Sequence, residues 1–438
     1  MGHRLYLLFL LTLASLASGQ SYVLVDCGLL NPVGESRSGG LNNLGHVTGT
    51  GTAPNGLSEH AFFFDGAIQD LGTLGMTYSW GHAVNDRDRV VGYSGVASVV
   101  IHAYAWSSGT MFDEHVGELS FSRANGLNQR GDVAGVTAVP APFVNEYRGY
   151  VLAGGVGTIL DTLGGTESQA FDVNDKGQVV GFARTKEGKV RAVLWDGAVP
   201  VELGDLGDAF SRAKALNNTP TIVGQSRILS GDYRGFVWSE GVMVDFGTLG
   251  GLESDARAVN AFGKVVGAAD QADGTSRAVL WEEGVLTDLN TLVAGARGWV
   301  LTGANGINEL GQISGTGKID GVRHAYRLDP VLDAPVISGL VPGMAGRRNE
   351  IHALGATPGQ HLWFLMAKQQ GTTPIPGCPG LNLSLDKPRL LGIAPVDRSG
   401  RALLMVPLPA VARGLDLYFQ AFDPASCKVS GIVEQEIF

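Results

Sequence analysis

Charge is scarce in this sequence. Asp, Glu, Lys and Arg make up 17% of the 438 residues, against an ordinary share of about 25%. The net charge is −10 and no block of Lys or Arg occurs. Nucleic acid and anionic membrane surfaces are therefore poor partners. Cysteine is nearly absent, with only Cys27, Cys378 and Cys427. There is no Cys-x-x-Cys pair, no His-Glu-x-x-His zinc motif, no Asp-rich calcium loop and no phosphate loop. No serine elbow and no sialidase-type Asp box is present either. No metal and no cofactor is expected. His352 and His361 stand without partners at ligand spacing and read as surface or satisfied histidines. Beyond the N-terminus, no apolar run approaches the roughly 20 residues that span a bilayer.

Glycine is what the sequence has in excess. Its 64 residues are about twice the usual share of ~7%. Abundant Gly with little charge suits many short strands joined by tight turns, and it opposes long helices. Hydrophobic residues at 44% suffice for a large core.

Residues 1–19 read as a secretory signal. His3 and Arg4 precede the apolar run Leu5 to Leu16, and Ala17-Ser18-Gly19 offers small residues for cleavage before Gln20. Export to the cell surface or the medium is expected, with no transmembrane segment left after cleavage. An exported chain can keep disulfides. Cys378–Cys427 is the favoured pair, with Cys27 a buried free thiol, and other pairings stay open.

A repeat of about 43 residues organises the next 300. One landmark is a basic residue, a small residue and then hydrophobics, beginning at His60, His102, Arg148, Arg191, Arg234, Arg277 and His324. A second is Asn followed by Gly seven residues later. The Asn positions are Asn42, Asn85, Asn128, Asn174, Asn217, Asn260 and Asn308. Seven copies of each mean seven repeats. Each resolves into four short strands A to D; in the fourth copy these are 169–174, 178–183, 191–195 and 199–206. Four antiparallel strands per repeat of this length imply an all-β, seven-bladed β-propeller over residues 20–331. The seventh copy lacks strand D. The spare strand Tyr22 to Gly28 should supply it and close the ring. Small residues in strand A (Gly81, Ala124, Ala170, Ala213, Ala256, Ala304) place that strand innermost. Trp106, Trp195, Trp238 and Trp281 end strand C and are expected between the blades.

Strand D carries an acid near its end and strand C begins with a base. This predicts seven cross-strand pairs, with acid and base opposite each other on one sheet face: His60–Asp70, His102–Asp113, Arg148–Asp161, Arg191–Glu202, Arg234–Asp245, Arg277–Asp288 and His324–Asp26. Seven similar pairs read as structural rather than as a ligand ring. A hydroxyl opens strand A in every copy: Ser36, Ser79, Ser122, Ser168, Ser211, Ser254 and Thr302. Seven of them do not suggest nucleophiles; they are expected to bond turn backbone or a neighbouring blade.

The segments HAFFFDGAIQDLGTLG (60–75) and RGFVWSEGVMVDFGTLGGLESDARAVNAFGKVVG (234–267) resemble the HAF family of extracellular repeats, named for the triplet intact here at residues 60–62. The resemblance covers residues 22–330. It departs in having Arg for His in four copies and a degraded linker at 117–122. It implies export and a repeat fold, and carries no activity or catalytic residue to transfer.

From about Ala334 the period vanishes. Short apolar runs such as 362–367, 402–408 and 415–422 alternate with Gly and Pro, which predicts a small β-sandwich over 332–438.

With no motif for catalysis, the expected function is a monomeric extracellular binding or interaction scaffold whose ligand is a polysaccharide or a protein. The alternative is a polysaccharide lyase or glycoside hydrolase at the propeller mouth. It would use non-repeated loop residues, of which Asn145, Glu146, Tyr147 and Arg148 form the most idiosyncratic cluster.

Overall fold

Strand A of every repeat contains a β-bulge, and that bulge explains the landmark glycine. The register on strand B slips by one residue between Ser38 and Gly40, Gly81 and Ala83, and Ala170 and Asp172, with the same slip in the other copies. The slip drives a strand A carbonyl against strand B. A Cβ on Gly181 would lie 1.9 Å from the Gln169 carbonyl oxygen, and one on Gly267 1.9 Å from that of Asp255. Only a residue without a side chain fits there.

A computed structural model describes residues 20–142 and 145–438. The expected signal segment 1–19 lies outside the described residues. Among them the chain is all-β and propeller-like, and its helical pieces are the 3-10 turns Leu289–Thr291 and Ala410–Ala412. The fourth repeat shows the common pattern. Gly164–Val173, Val179–Thr185, Val190–Trp195 and Pro200–Glu202 pair in sequence order, each antiparallel to the last. Similar four-stranded groups form at the other repeats, those of the third and fourth being joined by one parallel bridge, Tyr147 to Glu167. The group of the seventh repeat takes its outer strand from Tyr22–Asp26, which runs antiparallel to Val322–Pro330.

Neighbouring groups are fastened by the strand A serines. Each accepts a hydrogen bond at 2.9 to 3.0 Å from the backbone N–H of the small landmark residue in the preceding group. The pairs are Ala61 to Ser79, Ala103 to Ser122, Gly149 to Ser168, Ala192 to Ser211, Gly235 to Ser254 and Ala325 to Ser36. All six serines are buried. Thr302 breaks the pattern by donating to Thr316 within its own group, and Asn290 ties the link to Leu301 instead. Apolar clusters fill the spaces between groups. Trp195 is buried with Leu160, Val173 and Val179, and Trp106 with Phe63 and Val90, whereas Trp238 and Trp281 are only partly buried.

The cross-strand pairs need correction. The acid stands opposite the residue two past the base, as in Phe62 with Asp70 and Val193 with Glu202, so acid and base meet on the diagonal. His60–Asp70 at 2.9 Å, His102–Asp113 at 2.7 Å, Arg191–Glu202 at 3.0 Å and His324–Asp26 at 3.0 Å form this way, and Arg234–Asp245 is looser at 3.9 Å. Arg148–Asp161 does not form. The third hairpin keeps the register of the others and puts Ile159 at the acid position, opposite Tyr150; Asp161 lies two residues past it, beyond the strand, and Arg148 pairs with Glu146. Arg277–Asp288 does not form either, because Asp288 caps the 3-10 turn through the Asn290 N–H.

After residue 331 the strands regroup. Val336–Ile337, Arg348–Leu354 and Ala402–Pro407 form one sheet. Arg389–Pro395, His361–Ala367, Asp416–Asp423 and two short partners form another. Ile351, Leu362, Phe364, Leu417 and Phe419 share one buried core between them. Cys378 is disulfide-bonded to Cys427, and Cys27 is free and buried.

Candidate functional site

The two ends of strand A differ in every repeat. At the end where strand A turns into strand B, the repeat Asn side chains form a closed circuit. Each donates its Nδ2 to the backbone carbonyl of the Asn one repeat on: Asn42 to Asn85, then Asn128, Asn174, Asn217, Asn260, Asn308 and back to Asn42, at 2.9 to 3.1 Å. The following residue makes a second circuit in the same sense with the roles exchanged, from backbone N–H to the side chain of the next repeat. It runs Asn43 to Asp86, Gln129, Asp175 and Asn218, and from Ala261 through Glu309 back to Asn43. Its one gap is Ala261, which has no oxygen to offer Asn218.

The C-terminal strands cover this end. Lys176 lies 3.9 Å from Glu436 and over the Phe438 ring. His352 is buried with its Nε2 3.4 Å from Asp86 and 3.5 Å from Glu350, and without a hydrogen bond. It is therefore neither a surface nor a satisfied histidine. A cavity of about 650 Å³ remains between the two regions, lined by Asp172, Asp175, Glu309, Leu340, Val433 and Phe438 among others. Burial pushes Asp175 up to about 6 and Glu309 up to about 7, with Asp86 adding to both. Burial, with Asp175 adding, holds Asp172 at about 7.

At the opposite end, the strand A position just before the bulge holds Arg37, Trp80, Arg123, Gln169, Arg212, Asp255 and Gly303, one from each repeat and each facing the same place on strand B. Asp255 binds Lys214 at 2.6 Å and Arg257 at 2.9 Å, and Arg257 also reaches Asn305 at 2.9 Å. Arg37 is ion-paired to Glu35 and Glu59.

Arg123 and Arg212 differ from Arg37. Neither is ion-paired to a described carboxylate, and the Nε of each is buried without a hydrogen bond. Each guanidinium instead sits between two aromatic rings: Arg123 4.4 Å from Tyr93 and 5.2 Å from Phe121, Arg212 4.7 Å from Phe182 and 5.1 Å from Phe210. Phe121 meets Tyr147 edge-on at 5.2 Å, and Phe210 meets Tyr233 the same way at 5.3 Å. Burial lowers the Arg212 pKa from its ordinary range, and Arg184 adds to this against Glu167.

The 145–148 cluster is thus less singular than its sequence suggests. Glu146 pairs with Arg148, and Tyr147 has a counterpart in Tyr233. The overlooked signal was a second-order repeat: Phe-Ser-Arg-Ala occurs at 121–124 and 210–213, and Tyr-Arg-Gly at 147–149 and 233–235.

No family model matches the chain, and no curated protein matches it in sequence. Among solved structures, TolB from Acinetobacter baumannii aligns with a TM-score of 0.37 and 11% identity over 69% of this chain and 65% of that one. The chain thus spans just under two thirds of that protein. A protein described as a TolB from Agrobacterium tumefaciens aligns at 0.33 and 13%, over 71% of this chain and 99% of that one. An arginine-to-alanine triple mutant of AofleA from Arthrobotrys oligospora aligns at 0.32 and 13%, over 71% and 92%.

Proposed function

We propose that this protein is an exported, HAF-type binding scaffold that takes a polysaccharide at the open mouth of a closed seven-bladed β-propeller. In this reading residues 20–331 are the propeller, 332–438 a C-terminal β-sandwich, and 1–19 a cleaved signal. The Asn circuit and the pairing of Tyr22–Asp26 with the last repeat support closure.

The observation that carries the functional reading is the asymmetry between the two ends of strand A. One end is hydrogen-bonded from repeat to repeat, with a gap at Ala261 in the second circuit, and is covered by the C-terminal strands. The other holds residues of differing chemistry on a regular frame, which is where a repeat scaffold places recognition. Asp255, the carboxylate at this position of the repeats, is tied to Lys214 and Arg257 rather than paired with a second acid as glycoside hydrolysis needs, so binding is favoured over hydrolysis.

The test is retention of the purified protein on a panel of polysaccharides, with released sugar measured in the same samples. Retention without release is expected, and Gln169→Trp at the mouth should remove it. Release of sugar, or retention indifferent to that substitution, overturns this reading.

A further inference from the structure

Two of the seven repeats share a side-chain arrangement that the fold does not need. In the third and fifth, an aromatic on strand B of the preceding repeat, an Arg, a Phe two residues before it and a Tyr at the start of strand C stack in order. One ladder is Tyr93, Arg123, Phe121, Tyr147; the other is Phe182, Arg212, Phe210, Tyr233. The other repeats close their sheets with Arg37, Trp80, Gln169, Asp255 or Gly303 at the same place, so the ladder is not a folding requirement. Each Arg lies over its two rings, half-buried, and is ion-paired to no carboxylate among the described residues. A guanidinium in that state keeps a planar edge of donors for a carboxylate or sulfate. Gln169 stands between the two at the equivalent position of the fourth repeat.

We propose that Arg123 and Arg212 form a paired oxyanion site for an anionic polysaccharide, each fixing one charged group of the polymer. This rests on the mouth being the binding end. A polymer with charged groups at intervals matches two like sites two repeats apart. Tyr147, 43% exposed at the end of its ladder, offers an apolar face to a sugar ring. The net charge of −10 works against non-specific attraction of a polyanion, so retention of one calls for a local site.

The experiment compares retention on polygalacturonate, its methyl-esterified form, dextran sulfate and neutral dextran. Wild type should hold polygalacturonate, dextran sulfate or both, and neither esterified polymer nor dextran. Polygalacturonate alone would name the carboxylate, and dextran sulfate alone the sulfate. Arg123→Gln and Arg212→Gln should each weaken retention roughly tenfold, and added salt should weaken it further. The esterified comparison needs no variant, so it stands if either substitution impairs folding. Equal retention of free and esterified polymer, or folded variants that bind as wild type does, overturns the paired site and leaves the mouth reading intact. No retention of any polysaccharide overturns both.

Discussion

The two ends of strand A belong to one strand in each repeat, yet one is nearly invariant from repeat to repeat and the other is not. At the turn end, seven Asn side chains do the same thing seven times. At the mouth, the equivalent position holds Arg, Trp, Arg, Gln, Arg, Asp and Gly. In a repeat protein, what recurs is what each unit needs to pack on its neighbour. What varies on that frame is free to serve recognition. Two similar ladders among seven unlike positions are therefore more informative than seven similar ion pairs.

That contrast can be broken or sharpened by experiment. The largest effect lies outside the ring. Removing the disulfide with Cys378→Ser and Cys427→Ser should cost about 4 kcal/mol on the chain-entropy model for a loop of roughly 50 residues. It should lower the denaturation midpoint of the C-terminal region while leaving unfolding of the repeats where it was. Next, Gly181→Ala should cost about 3 kcal/mol, because its Cβ meets the Gln169 carbonyl; Gly188→Ala in a hairpin turn should cost about 1, from its positive φ alone. Equal urea midpoints for the two would refute the bulge explanation.

Asn174→Ala should cost about 2 kcal/mol, since it removes a bond to Asn217 and strips the Lys176 and Gln178 N–H groups of their acceptor. The same change in other repeats should cost a similar amount, whereas mouth substitutions should differ from one another.

A pH series tests the covered end. Glu309 has a folded pKa raised from its ordinary 4.5 to about 7. The folded state therefore holds this proton more tightly than the unfolded one, and the group's contribution to stability falls as pH rises between those values. Glu309→Gln should raise the melting temperature at pH 8 and converge with wild type near pH 4.5. The smallest effect is expected from His60→Ala, which removes a diagonal pair with Asp70 and should cost less than about 1 kcal/mol.

Much of this frame was legible in advance because each repeated residue has one physical job. The landmark Gly answers a bulge, the Asn a turn and the next repeat's carbonyl, the Ser a neighbouring backbone N–H, and Tyr22–Asp26 a missing strand. The cross-strand pairs were read on the right face and in the wrong register. Asp161 looks like the acid of the third copy, but it stands two residues past the place that Ile159 fills opposite Tyr150. The aromatic ladders escaped notice because seven-way comparison suppresses a feature present in two copies. The covering of the turn end was not legible at all. It depends on contacts such as Lys176 with Glu436 and His352 with Asp86, which join residues hundreds of positions apart with no periodic mark.

The strand Tyr22–Asp26 has a consequence for how the chain acquires its structure. It is the first strand described, and its partner is Val322–Pro330. During synthesis it must wait, unpaired, while the rest of the repeats are made. The sheets in between can form from neighbouring segments as each emerges. Joining ends some 300 residues apart costs only about 2 kcal/mol more than closing a single repeat, because loop entropy grows with the logarithm of length. Delay, rather than thermodynamic cost, is thus the burden of this topology. Until Val322–Pro330 arrives, the chain carries two unsatisfied strand edges, and that interval is when it is most exposed to pairing with another copy of itself.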